Sequence, residues 1–212
     1  MPHKPGKVRL IYDRRPQNAL ERDLSPEWLR LPHGCQFCEA ILAPHQGLRG
    51  CADDLRNWFY QLRHEPDWFR RQAVGRRLRG QDFTSFGTDP KRNYRACMKV
   101  VCMGDRNGVP FAQEAHEEIL RRSGLMRDEN VLQYGGSTPH TDVWEGTYVD
   151  DHILSLRVPL NRMKCTPGHD SQCPLCAADD GMLPDARMVE GYERFGAERS
   201  AEKEVRFAER CS

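Results

Sequence analysis

The pair Asp150-Asp151 is the feature that most constrains this chain. It follows Tyr148 and Val149, with Val143, Trp144 and Thr147 on one side and Ile153 and Leu154 on the other. β-branched and aromatic residues flanking two acids predict strand, tight turn, strand, with both carboxylates at the turn. Successive side chains of a strand point to opposite faces, so neighbouring acids share one site only where the backbone bends between them. Paired carboxylates at such a bend suit hard divalent cations, Mg²⁺ or Mn²⁺, facing phosphate oxygens. The fold must then supply a third carboxylate, a basic clamp and a proton donor.

Candidates for each exist upstream and downstream. Gly50-Cys51-Ala52-Asp53-Asp54-Leu55 reads as a short buried strand ending in acid, and Asp53 and Asp54 compete for the third ligand position. An aromatic residue, Trp58 or Phe59, stands five positions after either. Lys7 to Asn18 begins as a strand that Pro16 ends. In it, one of Arg9 and Arg15 is suited to clamp a polyphosphate while the other pairs with Asp13. Residues 1–100 carry 19 Lys and Arg against 11 Asp and Glu, and the remainder 13 against 20, so the small net charge of +1 hides a basic first half. The densest basic stretch, with Arg70, Arg71, Arg76, Arg77 and Arg79 among Phe69, Phe83 and Phe86, predicts a nucleic-acid groove.

Between and beyond these lie supporting elements. Ser25-Pro26-Glu27 predicts a helix start, Met98–Met103 a strand, and Gln81–Asn93 a loop. A helix is predicted after the turn Gly104–Gly108. Its buried face holds Ala112, Ala115 and Ile119, and Gly124 ends it in the left-handed conformation. Met126–Glu145 predicts a polar loop. Asp185 predicts an N-cap, followed by a buried stripe of Met188, Val189, Tyr192 and Phe195 that Gly196 ends. Cys35-x-x-Cys38 is expected to be a pair of buried thiols. The spacing Cys165-x3-His169-x3-Cys173-x2-Cys176 permits a tetrahedral Zn²⁺ site. The chain has no run of 18 apolar residues and no apolar leader after Met1, so a membrane span and secretion are not expected, and the nine cysteines are expected to be thiols or metal ligands.

In order, these segments resemble the reverse transcriptase family, in its fingers and palm, from about Lys7 to Phe207. Arg9-Leu10-Ile11-Tyr12-Asp13-Arg14-Arg15-x-x-Asn18 is similar to the family's fingers strand. Asp54-Leu55-Arg56-Asn57-Trp58-Phe59-Tyr60 is similar to its first palm motif, a match that favours Asp54 over Asp53. Gly104 to Gln113, with Asn107, resembles the second motif, Tyr148-Val149-Asp150-Asp151 the third, and Gly196 with Lys203 the fourth. The chain departs from the pattern where Cys102-Met103 replaces a proline before Gly104, where Pro110 is shifted, and at Asn57, where aspartate is common. No thumb, RNase H or integrase motif is read before Ser212.

The resemblance implies an α+β right-hand palm, an antiparallel sheet backed by helices, with partial fingers and the thumb missing. It implies a single domain over 1–212 with a Cys/His-containing insertion at 157–184. The implied reaction is two-metal transfer of a dNTP to a primer 3′-hydroxyl, directed by an RNA template. Asp54, Asp150 and Asp151 would hold Mg²⁺ or Mn²⁺, and Lys203 would act as general acid. Arg9, Phe59, Tyr148 and Gly104 would contact the dNTP. The implied partners are an RNA/DNA primer-template and a separate segment supplying the thumb, in a cytoplasmic or nuclear, non-secreted setting. Two alternatives remain open. One is a truncated or repurposed palm that binds nucleic acid without catalysis, and the other is an interaction module stabilised by Zn²⁺ at the Cys165–Cys176 segment.

Overall fold

The computed structural model describes residues 12–24, 31–161 and 184–210. The chain divides into two compact units, Met1–Leu24 with Phe59–Gly108, and Ser25–Trp58 with Val109–Ser212. The architecture is α+β, with antiparallel sheets and helices. None of the helices among the described residues is long and apolar enough to cross a membrane.

The second unit is built on a four-stranded sheet in the order β4-β5-β1-β6. Its strands are β1 (Gln46–Asp54), β4 (Val143–Tyr148), β5 (Asp151–Pro159) and β6 (Val205–Arg210). β1 alternates without fault: Gly47, Arg49, Cys51 and Asp53 are buried, and the residues between them, up to Ala52, are half-buried. That is the period-two signature of a sheet with one covered face. β5 continues the covered face through His152 and Leu154, which lie opposite Asp53 and Cys51 in the antiparallel register.

Two helices meet this unit's core, α4 (Gly108–Arg122) and α5 (Pro184–Phe195), the former entering it from Val109 onward. α5 buries Met188 and Tyr192, whereas Phe195 is exposed. It begins at Pro184, so Asp185 lies inside its first turn and is not the N-cap. A ring with φ preset for the helix starts it one residue earlier. Gly196 ends α5 with φ 69°, and Gly124 follows α4 with φ 79°. The two helices approach closely at Gly191, where an added Cβ would stand 2.1 Å from Ser123 Oγ.

The buried face of α4 is not Ala112, Ala115 and Ile119. It is Ala112, Gln113, His116 and Leu120, with Ala115 and Ile119 only half-buried. Spacing alone cannot separate two stripes one position apart. The inward one carries two polar residues because each finds a buried partner, described below.

The first unit contains a two-stranded hairpin, β2 (Ala73–Arg79) and β3 (Asn93–Cys97). The strand expected at Met98–Met103 is displaced to Asn93–Cys97. Within 98–103 only Val100 pairs, in an isolated bridge with Arg63. The loop expected at 81–93 contains the 3₁₀ segment Gly80–Phe86. The strand expected from Lys7 does not extend past residue 11 as a strand. Tyr12–Arg14 is irregular, and Arg15–Asn18 is one helical turn (α1) with Pro16 in its first positions. The single turns α2 (Cys35–Cys38) and α3 (Trp58–Gln61) complete the helices named here. Cys35 and Cys38 are exposed thiols, contrary to expectation, because Gln36 is the residue of α2 that turns inward. Of the insertion expected at 157–184, residues 157–159 belong to β5 and Pro184 begins α5, and 162–183 lie outside the described residues. Ser25–Glu27 and Cys165, His169, Cys173 and Cys176 lie outside the described residues.

Between α5 and β6 the chain is tied to the end of β1. Asp53, with its side chain 1% exposed, pairs with Arg199, and Arg199 also reaches Glu204 at 3.2 Å. Leu55 and Arg199 form an antiparallel bridge, and the Ser200 amide donates to Asp54 O at 2.7 Å. A buried carboxylate that loses its only cation is costly. Arg199→Leu should therefore lower the unfolding free energy by about 3–5 kcal/mol. The double variant Asp53→Asn/Arg199→Leu should lose clearly less, as read from urea denaturation of each.

Candidate active site

The sheet register brings the acidic residues together. Asp54 is the last residue of β1 and Asp151 the first of β5, and they face each other directly in the antiparallel ladder. Asp150 stands in the turn, and its carbonyl accepts the Leu55 amide at 2.8 Å. Asp53 and Asp54 are thereby separated in role. Alternation sends Asp53 into the covered face to Arg199, and Asp54 to the end where Asp151 lies.

The turn Val149-Asp150 joins the paired residues Tyr148 and Asp151. Val149 has φ 60°, the left-handed region, where a β-branched side chain is strained. A positive φ at the first of two turn residues matches the type II′ hairpin, a place usually given to glycine. The strain is held by two residues of α4. Gln113 accepts the Val149 amide at 2.7 Å through Oε1 and donates to Thr147 O at 2.8 Å through Nε2. His116 Nδ1 lies 3.0 Å from Val149 O, and its Nε2 lies 2.7 Å from the Tyr192 hydroxyl of α5. A carbonyl only accepts, so Nδ1 carries the proton and Nε2 accepts from Tyr192. All three side chains are almost completely buried. Trp58, beneath the same helix, donates from Nε1 to Ala112 O at 2.9 Å.

The electrostatics follow from this packing. Burial pushes Asp151 above its ordinary value, and the nearby Asp150 and Asp54 push it further, with Lys203 opposing. Lys203 Nζ donates to Asp54 Oδ1 at 2.6 Å, and this bond holds the ammonium above its ordinary value. The other carboxylate oxygen, Asp54 Oδ2, is buried without a hydrogen-bond partner among the described residues. Burial drives His116 down to about 3, with His152 pushing the same way and the Val149 carbonyl opposing. Tyr192 is raised well above its ordinary value by burial first, then by Asp53.

Carboxylate oxygens are the donor chemistry that a hard divalent cation takes. Asp54 offers a buried oxygen with no hydrogen-bond partner among the described residues, and Asp150 and Asp54 add to the burial that raises the cost of ionising Asp151. Among the described residues no group of three or more His, Cys, Asp or Glu side chains is arranged to hold a metal ion as it stands. At Asp54 a lysine holds one of the oxygens that such an ion would take.

The remaining predicted site residues lie on β4, in the first unit or outside the described residues. Tyr148 ends β4, half exposed. Phe59 and Gly104 belong to the first unit, and Arg9 lies outside the described residues. Gly104 takes φ 101° in a loop that is cross-linked to residues 14–24. Asn18 Nδ2 donates to Gly104 O at 2.8 Å, and Arg106 N donates to Asn18 Oδ1 at 3.0 Å. Asn107 Nδ2 donates to Arg22 O at 3.0 Å and its Oδ1 accepts from Leu24 N at 2.8 Å. Buried Arg14 pairs with Asp105. Arg15 pairs with Asp13 in a forked contact at 2.9 and 2.7 Å. That forked bond holds Asp13 at about 2.

His116 and Arg199 were not read from the sequence as site residues. For His116 the signal was present, three positions after Gln113 on one helix face. Arg199 had none, because its partner Asp53 is 146 residues away.

No protein-family model matches the chain, and no curated protein is similar enough to count as a match.

The depressed value of His116 has a consequence for stability. Its unfolded value is near 6.5 and its folded value about 3, so the unfolded chain binds the extra proton first as pH falls. Stability is complete above about pH 6.5 and declines as pH drops toward 3. Between pH 6.5 and 5 the loss from this residue should be about 2 kcal/mol. Denaturation curves at a series of pH values should show that slope in the wild type and lose it in His116→Asn.

Proposed function

We propose that this chain is the fingers and palm of an RNA-directed DNA polymerase of the reverse transcriptase kind. The reading is carried by one juxtaposition: Asp54 directly opposite Asp151 in the sheet, Asp150 in the adjoining turn, and Lys203 on Asp54. Four separated segments of sequence, each resembling a different motif of that family, supply these residues or hold the turn that bears them.

Asp54, Asp150 and Asp151 are the residues that would hold Mg²⁺ or Mn²⁺. The bound ions would supply activation of the primer 3′-hydroxyl and charge neutralisation at the α-phosphate. The protein's own contribution is placement. The ladder fixes the separation of Asp54 and Asp151, and the Gln113 and His116 bonds fix the turn that aims Asp150. Lys203 keeps a proton on Nζ across the neutral range, as a general acid toward a pyrophosphate leaving group must. By the resemblance, Arg9 would neutralise the triphosphate, Phe59 would exclude a 2′-hydroxyl, and Tyr148 and Gly104 would line the nucleotide.

The test is primer extension on an RNA template with dNTPs and Mg²⁺ or Mn²⁺. Wild type should extend, and Asp150→Asn should lose about 10³-fold in rate, roughly 4 kcal/mol of transition-state stabilisation. Extension retained in Asp150→Asn would refute the site.

A second reading, a palm that binds nucleic acid without polymerising, is favoured by the hairpin of the first unit. Arg76, Arg77, Arg79, Arg92 and Arg95 are all exposed there. Polyanion binding of this kind weakens with salt, by about 0.7 in logarithmic slope for each phosphate of a single strand. Filter binding of single-stranded RNA across a salt series should give a clear negative slope. Arg76→Gln/Arg77→Gln should make it shallower by about 1. A wild-type slope near zero removes nucleic-acid binding from both readings.

A further inference from the structure

We propose that Lys203 is the internal counter-ion of the unloaded carboxylate site, occupying the Asp54 oxygen that a divalent cation takes and leaving when that cation binds. The inference rests on the metal-binding reading of Asp54, Asp150 and Asp151 and adds a coupling to it. Arrival of the metal releases the lysine.

The geometry carries this. Among the described residues the Asp54 carboxylate is hydrogen-bonded at Oδ1 alone, to the Lys203 ammonium at 2.6 Å. Oδ2 is buried and has no hydrogen-bond partner among the described residues. Burial raises the cost of ionising Asp151, and the neighbouring Asp150 and Asp54 raise it further. A single ammonium offsets part of it. A divalent ion offsets more and can use Oδ2 as well as Oδ1. Both cations cannot hold Oδ1 at contact distance, because their like charges repel strongly at a few ångströms.

The two partners differ in freedom. Asp54 is fixed on the sheet, its side chain 11% exposed, whereas the Lys203 side chain is 53% exposed on a flexible four-carbon stem. The backbone under Lys203 is held while the side chain is not. Lys203 N donates to Ser200 O at 2.7 Å, and Ser200 N donates to Asp54 O at 2.7 Å. A fixed backbone with a loosely held head group suits a counter-ion that swings aside and returns. Once displaced, the ammonium stays beside the site as a proton donor, so the loaded site and the available acid arise together.

The experiment uses the full chain and Mn²⁺ as probe, with wild type, Lys203→Met, Lys203→Arg and Asp150→Asn. Mn²⁺ affinity is read by electron paramagnetic resonance, and melting temperature is read with and without Mg²⁺. Lys203→Met should bind Mn²⁺ about tenfold more tightly than wild type. It should melt lower without metal and gain more on adding Mg²⁺. Lys203→Arg, which keeps the charge, should stay near wild type. In wild type the Lys203 side-chain NMR signals should shift as Mg²⁺ is added, a readout that needs no variant. Equal or weaker Mn²⁺ binding by Lys203→Met, or Lys203 signals unmoved by saturating Mg²⁺, would overturn the counter-ion role. Failure of the underlying reading looks different: wild type would bind no Mn²⁺, or Asp150→Asn would bind it as wild type does.

Discussion

The strained turn at Val149 is the constraint on which the rest of the site depends. A β-branched residue at φ 60° does not hold that conformation unaided. Its amide and carbonyl are both claimed by α4, through Gln113 and His116, and the next carbonyl is claimed by the Leu55 amide. The polar stripe of α4 exists for these bonds. His116 is locked in turn by the Tyr192 hydroxyl of α5, so two helices and two strands converge on one peptide. Buried hydrogen bonds of this kind contribute little net stability each, but leaving any one unmade is expensive. The turn is therefore determined by the whole core of its unit, and the position of Asp150 with it.

The same logic separates the two aspartates of β1. One residue's shift along a strand changes the face, and the faces differ in chemistry. Asp53 meets Arg199 in the covered layer and anchors the segment after α5. Asp54 meets Asp151 and Lys203 at the end of the sheet. The Arg199 anchor also sets where Lys203 begins its reach, four residues on. A structural ion pair and the candidate site are thus built from adjacent residues of one strand.

Much of this was legible in the sequence. The hairpin bearing Asp150 and Asp151, the strand ending in Asp54, the helix after Gly108 and the glycine stops at Gly124 and Gly196 all follow from local pattern, and all appear. Which of Arg9 and Arg15 pairs with Asp13 was open in the sequence, and the structure pairs Arg15 with it. Where the reading went astray, a tertiary partner decided. The stripe on α4 is rotated by one position because Gln113 and His116 have buried partners that no helical periodicity encodes. The strand placed at Met98–Met103 sits instead at Asn93–Cys97, where β2 offers a pairing edge. Cys35 and Cys38 are exposed because the single turn that carries them buries Gln36.

The sequence by itself determined the local chemistry of this protein: the hairpin that bears Asp150 and Asp151, the strand that ends in Asp54, the helix stops at Gly124 and Gly196, and which carboxylates and lysine are available. Side-chain periodicity and turn propensity act over a few residues, and those are written in the chain. Only the tertiary structure decided which groups meet. Asp54 opposite Asp151, Lys203 on Asp54 and Arg199 on Asp53 each join residues about a hundred or more positions apart. Such contacts are set by sheet register and helix packing, which belong to the fold as a whole and to no short stretch of it.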